Sequence, residues 1–176
     1  MSALALSPER ARMSDAASQA LSICGKQLIA DMSGALYWPG ERMLIVADLH
    51  LEKASAHAAR GALLPPYDTR ETLERLAVAI DRYQPAIVVA LGDSLHDRGA
   101  AERISSRDLA ALEILQEDRR WIWVTGNHDP EIAGKLGGEV VEALAVGGLL
   151  FVHIPTPVRA THEIAGHLPP AARLSL

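Results

Sequence analysis

The chain of 176 residues contains a single cysteine, Cys24, and aromatic side chains make up only 4% of it. One thiol cannot form an intramolecular disulfide, and the lack of a cysteine pair excludes zinc fingers and thioredoxin-type redox motifs. Cys24 is expected to be a small buried apolar residue rather than a nucleophile. With so few aromatic rings, the core must consist mainly of Leu, Ile, Val and Ala. A reducing, cytoplasmic location is the natural expectation.

Long apolar runs and an excess of positive charge are also lacking. The sequence contains nothing that resembles a membrane span, and its N-terminus lacks the apolar segment of roughly 7–15 residues that a secretory signal needs. We expect residues 1–20 to be a flexible leader and residues 21–176 to form a single domain. The net charge of -5 provides no broad basic surface for duplex DNA, so any nucleic-acid contact must be local.

Two common catalytic motifs are absent as well. No Ser or Cys lies in a nucleophile elbow, and no Gly-rich loop of the Walker type is present. Hydrolases that form a covalent intermediate and nucleoside triphosphatases are therefore excluded.

What the sequence does contain is a set of apolar segments that end on residues able to bind metal. They are LIVADLH (44–50), IVVALGD (87–93), IWVTGNHD (122–129), LLFVH (149–153) and EIAGHLPP (163–170). Runs of Val, Ile and Leu without polar alternation are typical of strands buried on both faces, and ligands collect at the carboxyl ends of such strands. The polar residues at these ends are therefore expected to converge: Asp48, His50, Asp93, Asn127, His128, His153 and His167.

Helical patterns alternate with these strands. Asp68 and Glu71 resemble a capping box, and the apolar residues that follow recur at helical spacing, which predicts a helix over 69–83. Ser105 or Ser106 is expected to begin a second helix before the strand at 121–126. This alternation of strand and helix predicts an α/β domain with βαβ units.

The flanking regions are predicted to be extended. Residues 27–48 are predicted to form a strand pair that leads into the first buried strand, with turns at Ser33-Gly34 and Pro39-Gly40. The Gly-rich, β-branched stretch over 137–150 predicts further strands.

The donor chemistry favours particular metals. Carboxylates, an amide oxygen and imidazoles without a thiolate suit Mn, Fe or Zn better than Ca or copper(I). Gly92 allows a ligand to approach the backbone closely, and the carboxylate of Asp93 can bridge two ions. Asn127 can bind through its oxygen, whereas His128, oriented by Asp129, can remain unligated as an acid or a phosphate-binding group.

Further polar side chains lie in the segments that follow strand ends. His96, Lys53, Arg60 and Arg98 are candidates for contact with a substrate phosphate. The alternative is that His96 is an ordinary loop residue and the three cations are solvated. His57 and His162 match no motif and are expected to be solvated.

The motifs D-x-H, GD, GNHD, a lone His and GH, in this order over about residues 44–168, resemble the calcineurin-like metallophosphoesterase superfamily. The resemblance implies a four-layer αββα fold, a β-sandwich flanked by helices, with two divalent ions at the strand ends. Mn is the expected metal, with Fe or Zn as alternatives. By resemblance, His128 serves the leaving group and the remaining residues bind metal: Asp48 and His50 the first ion, Asp93 both ions, and Asn127, His153 and His167 the second ion.

Finer features at 35–54, 92–97 and 163–174 resemble the bacterial ligase-associated DNA-damage-response endonucleases. This resemblance implies a nuclease in DNA repair, with DNA as its partner. Two alternatives stay open: a phosphodiesterase for a small nucleotide, which the acidic composition favours mildly, and a scaffold that keeps the fold without turnover.

The sequence departs from the superfamily at two places. Pro169 occupies the position of the second His in the motif G-H-x-H, and proline cannot bind a metal. The chain ends at Leu176, where the family continues for several strands, so we expect the C-terminal strands to be missing. The first metal would then have three ligands from the protein, namely Asp48, His50 and Asp93, and activity would be impaired. The oligomeric state is left open.

Overall fold

The structure is a computed structural model that describes residues 18–59, 61, 68–126, 135–156 and 162–167. The strands in this part of the chain are β1 (Ser18–Ile23), β2 (Lys26–Asp31), β3 (Leu36–Trp38), β4 (Met43–Val46), β5 (Ile87–Leu91), β6 (Arg120–Val124), β7 (Glu139–Val141), β8 (Ala143–Val146), β9 (Leu149–Val152) and β10 (Glu163–Ala165). The helices are α1 (Lys53–Ala59), α2 (Asp68–Tyr83), α3 (Ala100–Arg103) and α4 (Ser106–Gln116), with a 3-10 turn at Pro39–Glu41.

Seven strands form one mixed sheet in the order β1-β2-β3-β4-β5-β6-β7. Strands β1 to β4 are antiparallel, whereas β4, β5, β6 and β7 run parallel to one another. Helices α1 and α2 connect β4 to β5, and α3 and α4 connect β5 to β6. The βαβ units that the sequence predicts are therefore confirmed.

Three further strands form a second sheet in the order β10-β9-β8. Strands β8 and β9 are an antiparallel hairpin, and β10 pairs with β9 in parallel. The two-residue turn of the hairpin is Gly147-Gly148, and both residues have positive φ, 55° and 80°. Glycine occupies this turn because positive φ at both positions is costly for other residues.

The large sheet is covered on both faces, which explains its continuous apolar strands. One face packs against the helices through Leu44, Val88, Ala90 and Trp121 of the sheet and Leu73, Leu76, Ile80 and Leu112 of α2 and α4. The opposite face packs against the small sheet through Ile45, Val89, Leu91 and Ile122 on one side and Leu149 and Phe151 on the other. Adjacent residues of β5 thus face different cores.

The described residues therefore form three layers: helices, a seven-stranded sheet and a three-stranded sheet. The α/β sandwich that the sequence predicts is confirmed. The second helical layer of the expected αββα arrangement is not among the described residues.

Local predictions were right for the longer elements. The helix expected over 69–83 is α2, and the Oγ of Ser105 accepts the N–H of Asp108 (3.1 Å) at the start of α4. The carboxylate of Asp68 accepts the N–H of Ala54 (2.6 Å), so it caps the first turn of the neighbouring helix α1.

Three elements were not predicted. Helices α1 and α3 are too short to show a helical period in the sequence. Strand β1 includes residues 18–20, which the sequence analysis places in a flexible leader, and these residues pair with β2. Of the helices that the structure describes, none has the length and apolar character needed to cross a membrane.

Candidate metal centre

Five of the six predicted metal ligands lie in the described part of the chain, and all five converge at one end of the sandwich. Asp48 and His50 follow β4, Asp93 follows β5, and His153 and His167 follow β9 and β10. Their donor atoms form two groups, and within each group these atoms lie within 4.8 Å of one another. Asp48 and His50 belong to the first group and His153 and His167 to the second. Asp93 belongs to both, so its carboxylate lies where it can bridge two ions.

The segments that follow β4 and β5 are joined by backbone hydrogen bonds. The N–H of His50 donates to the carbonyl of Asp93 (3.0 Å), and the N–H of Leu51 donates to the carbonyl of Ser94 (2.9 Å). Asp48, His50 and Asp93 all have positive φ, at 52°, 44° and 48°. This left-handed conformation is unfavourable for residues other than glycine, and it persists only where the surrounding structure fixes it. The ends of β4 and β5 are thus held together in a strained backbone conformation. This conformation brings the side chains of Asp48 and His50 toward Asp93.

Glycine is required at two positions next to the ligands. Gly92 has φ of 76°, and a Cβ at this residue would clash with the imidazole of His153. A Cβ at Gly166 would clash with the carbonyl oxygen of Leu91. The absence of side chains at these positions lets β10 and the loop after β9 approach the end of β5 closely.

The tautomer of His153 can be assigned from its surroundings. Its Nδ1 lies 3.0 Å from the carbonyl oxygen of Leu91, which can only accept, so Nδ1 carries the proton. The lone pair is therefore on Nε2, which lies 3.4 Å from an oxygen of Asp93. This Nε2 is buried and has no hydrogen-bond partner among the described residues. An oriented imidazole with a free lone pair is the usual state of a metal ligand.

The donor set fits divalent metal ions. Asp93 and His153 are only 3% and 4% exposed, and burial of such groups is costly unless they are paired or bind a metal. The Nδ1 of His50 is also buried without a hydrogen bond in the described part of the chain. His167 is half exposed, with its Nδ1 3.8 Å from Asp93. Carboxylate and imidazole donors together suit Mn, Fe or Zn.

A second set of histidines lies beside the first donor group. The ring of His96 lies 5.9 Å from that of His50 and 5.7 Å from that of His57, measured between centroids. Burial lowers the pKa of His96 below its usual value, and the positive charge that His50 can carry lowers it further. His57, expected to be solvated, is instead half-buried, because helix α1 carries it against His96.

Helix α1 is anchored by side chains that the sequence analysis did not identify. The Oγ1 of Thr69 accepts the N–H of Glu52 (2.8 Å) and donates to the buried Glu52 carboxylate (3.0 Å). Arg103 donates to the Oγ of Ser55 (3.1 Å) and to Asp97 (2.7 Å). The contacts of Thr69 with Glu52 and of Arg103 with Ser55 connect residues 17 and 48 positions apart, so no local pattern could have revealed them.

Of the remaining predicted site residues, some lie in the described part of the chain and others do not. Lys53 is exposed at the start of α1 and near enough to His96 to lower its pKa. Arg98 is exposed in the turn before α3. Arg60, Asn127, His128, Asp129 and Pro169 lie outside the described residues.

Gly92→Ala should weaken metal binding and lower stability. The left-handed φ costs about 1–2 kcal/mol for alanine, and the new Cβ must also displace the imidazole of His153. Gly148→Ala is the matched control, because Gly148 has a similar φ of 80° and nothing within 4 Å of its Cβ position. Thermal unfolding and Mn titration of both variants would measure the effects. Equal losses of metal affinity would show that the contact with His153 is unimportant.

Comparisons with known proteins agree with this geometry. The family model for calcineurin-like phosphoesterases matches residues 41–172. Among solved structures, the nuclease MPE of Pseudomonas putida is similar, with a TM-score of 0.68 and 29% sequence identity. That match covers 85% of this chain and 72% of the nuclease. No match is found among curated proteins. The finer resemblance to repair endonucleases is consistent with this nuclease neighbour.

Proposed function

Because this chain belongs to the calcineurin-like phosphoesterase family, we propose that it is a divalent-metal-dependent phosphodiesterase that cleaves nucleic acid. The observation that carries the proposal is the position of Asp93, whose carboxylate is shared by two groups of donor atoms. Phosphodiesterases with two metals need such a shared ligand, because the two ions must lie close together to act on one phosphate. The similarity to a nuclease supports DNA as the substrate and a role in DNA repair.

Each donor group has a defined task in this proposal. Asp48, His50 and Asp93 hold one ion, and Asp93, His153 and His167 hold the other together with Asn127. When bound, the ions would supply Lewis acidity, which lowers the pKa of a water molecule and neutralises charge on the phosphoryl oxygens. Asp93 would be the ligand common to both ions. The mixed oxygen and nitrogen donors favour Mn as the physiological metal, with Fe or Zn as alternatives.

Other side chains act on the substrate. His128, oriented by Asp129, protonates the leaving oxygen, as a general acid must do when an alkoxide departs. His96 and Lys53 contact a phosphate oxygen, a role supported by the position of His96 next to His50 and by the proximity of Lys53 to His96. Arg60 and Arg98 are proposed to hold neighbouring phosphates.

Pro169 makes the two ion sites unequal. The first group contains three protein ligands, whereas the second has four when Asn127 is included. Loss of a direct ligand should cost at least the roughly 10–100-fold in affinity that is typical of changes in the outer shell. The ion held by Asp48, His50 and Asp93 should therefore be bound more weakly than the other ion, and turnover should be impaired.

Metal content and turnover of the purified chain test this function. We expect uneven occupancy, with one ion bound more tightly than the other, and slow hydrolysis of an oligonucleotide that requires added Mn. Calorimetric titration with Mn and an assay with and without a chelator would measure both. Binding of metal without hydrolysis of any phosphodiester would favour the scaffold alternative. Hydrolysis of cyclic or dinucleotide phosphodiesters alone would favour a small-nucleotide enzyme.

A further inference from the structure

A cavity of about 180 Å³ lies directly beside the first donor group. Its walls come from the turn between β2 and β3, the end of β4 with the segment that follows it, and the middle of α2. Asp48 lines the cavity and also belongs to the first donor group. Anything bound in the cavity would therefore be separated from the metal centre by one side chain only.

The turn that forms one wall is held in place by Asp31. One oxygen of this carboxylate accepts the N–H of Ser33 (2.8 Å), and the other accepts hydrogen bonds from Arg82 and from the hydroxyl of Tyr83, both at 2.7 Å. These bonds lower the pKa of Asp31 despite its partial burial, and the pKa of Tyr83 is raised to about 12. The wall is thus fixed to the C-terminal end of α2, so the cavity is preformed.

The lining suits a flat ligand without charge. Its surfaces are small or aliphatic, from Gly34, Ala35, Ala47, Ala79, Val46, Leu49 and Leu76, and its hydroxyl groups come from Ser33 and Thr72. Among the described lining residues, the guanidinium of Arg75 is paired with Glu71, and the other charged group is the carboxylate of Asp48. A free anion would find no unpaired cation among these residues, whereas a ring with hydrogen-bonding edges can pack on the aliphatic walls and bond to the hydroxyls.

The size of the cavity limits the ligand further. A volume of 180 Å³ corresponds to about six water molecules at roughly 30 Å³ each. This is enough for one planar ring system and too small for a folded segment of polypeptide or a paired helix.

We infer that this cavity is a nucleoside subsite, which takes the base next to the phosphodiester that is cleaved. The inference rests on the proposed function, because it requires a nucleic-acid substrate at the metal centre. A base in the cavity would place its own phosphate toward Asp48, and binding of the base would position that phosphate for hydrolysis. Thr72 is then a residue that recognises the substrate without taking part in the chemical step.

Cleavage of an oligonucleotide with one abasic position tests the subsite. The wild-type chain with Mn should cleave the bond next to the abasic position about 10-fold more slowly than the same bond in the intact strand, since the loss of a small apolar contact in a pocket costs about that factor. All other bonds of the strand should be cleaved at equal rates. Equal cleavage at the abasic position would overturn the inference while leaving the phosphodiesterase function intact. A chain that cleaves no oligonucleotide at all would overturn both.

Variants of Thr72 provide a second test. Thr72→Leu places a larger side chain in the cavity and should raise KM for the intact strand about 10-fold, with less discrimination against the abasic position. Thr72→Val removes the hydroxyl at nearly constant size and should have a smaller effect in the same direction. Val78→Leu, at a 69% exposed position of the same helix, is the control and should change nothing. An unchanged KM in a folded Thr72→Leu variant would refute the assignment.

Discussion

Asp93→Ala is expected to abolish Mn-dependent phosphodiester hydrolysis. The carboxylate is the only described group that contributes donor atoms to both metal groups, so its loss removes a ligand from each ion at once. The remaining donors would be two per group among the described residues, namely Asp48 with His50 and His153 with His167. Calorimetric titration with Mn should show that both binding events weaken together, and hydrolysis of an oligonucleotide should fall to background.

The fold should survive this change. Asp93 is 3% exposed, and removal of a buried carboxylate from a metal-free protein relieves the cost of its desolvation. Circular dichroism and thermal unfolding would verify that the variant is folded. Asp81→Ala, which removes an exposed carboxylate from α2, is the control for the change in net charge. Normal turnover in folded Asp93→Ala would disprove the two-metal proposal.

A second pair of variants should separate metal binding from proton transfer. His153→Ala should lose metal, because the free Nε2 of His153 is directed toward Asp93 and Nδ1 is fixed by the carbonyl of Leu91. His128→Ala should keep its metal and lose turnover by about 10²–10⁴-fold, the range typical of a general acid. Metal titration together with kcat for both variants would measure this difference.

Two further variants test whether loss of metal results from loss of a ligand rather than from a change in packing. His153 is buried, so His153→Ala could lose metal because of a cavity rather than a lost ligand. His167→Ala removes a ligand of the same group that is half exposed, and it should lose metal without a change in unfolding temperature. His162→Ala, at an exposed position, should change nothing. If His128→Ala loses as much metal as His167→Ala, then His128 is itself a ligand and its proposed role is wrong.

Helix α2 could be predicted from its own sequence, whereas helix α1 could not. Helix α2 has apolar residues at helical spacing over four turns, so its sequence predicts it. Helix α1 has seven residues, and its first turn is capped by Asp68 from the following helix. Because tertiary contacts fix α1, its sequence alone could not identify it, and the half-buried position of His57 was missed for the same reason.

The arrangement of the two sheets also could not be predicted from local sequence. Strands β4, β5, β6 and β9 were predicted from their apolar runs, since such runs indicate burial on both faces. Burial does not specify the neighbour of a strand. The structure places β9 and β10 in a separate sheet that packs on the first one, and the small residues Gly92 and Gly166 allow this close approach.

The sequence by itself determined the kinds of donor atoms, their order along the chain and their places at the ends of strands. These features are local, because a buried strand and the polar residue that follows it are adjacent in the chain. Only the tertiary structure decided that the donors form two groups that share Asp93, that a cavity opens beside Asp48, and that His57 lies against His96. Those facts depend on distances between segments far apart in sequence, and such distances are set by sheet pairing and by left-handed backbone at Asp48, His50 and Asp93.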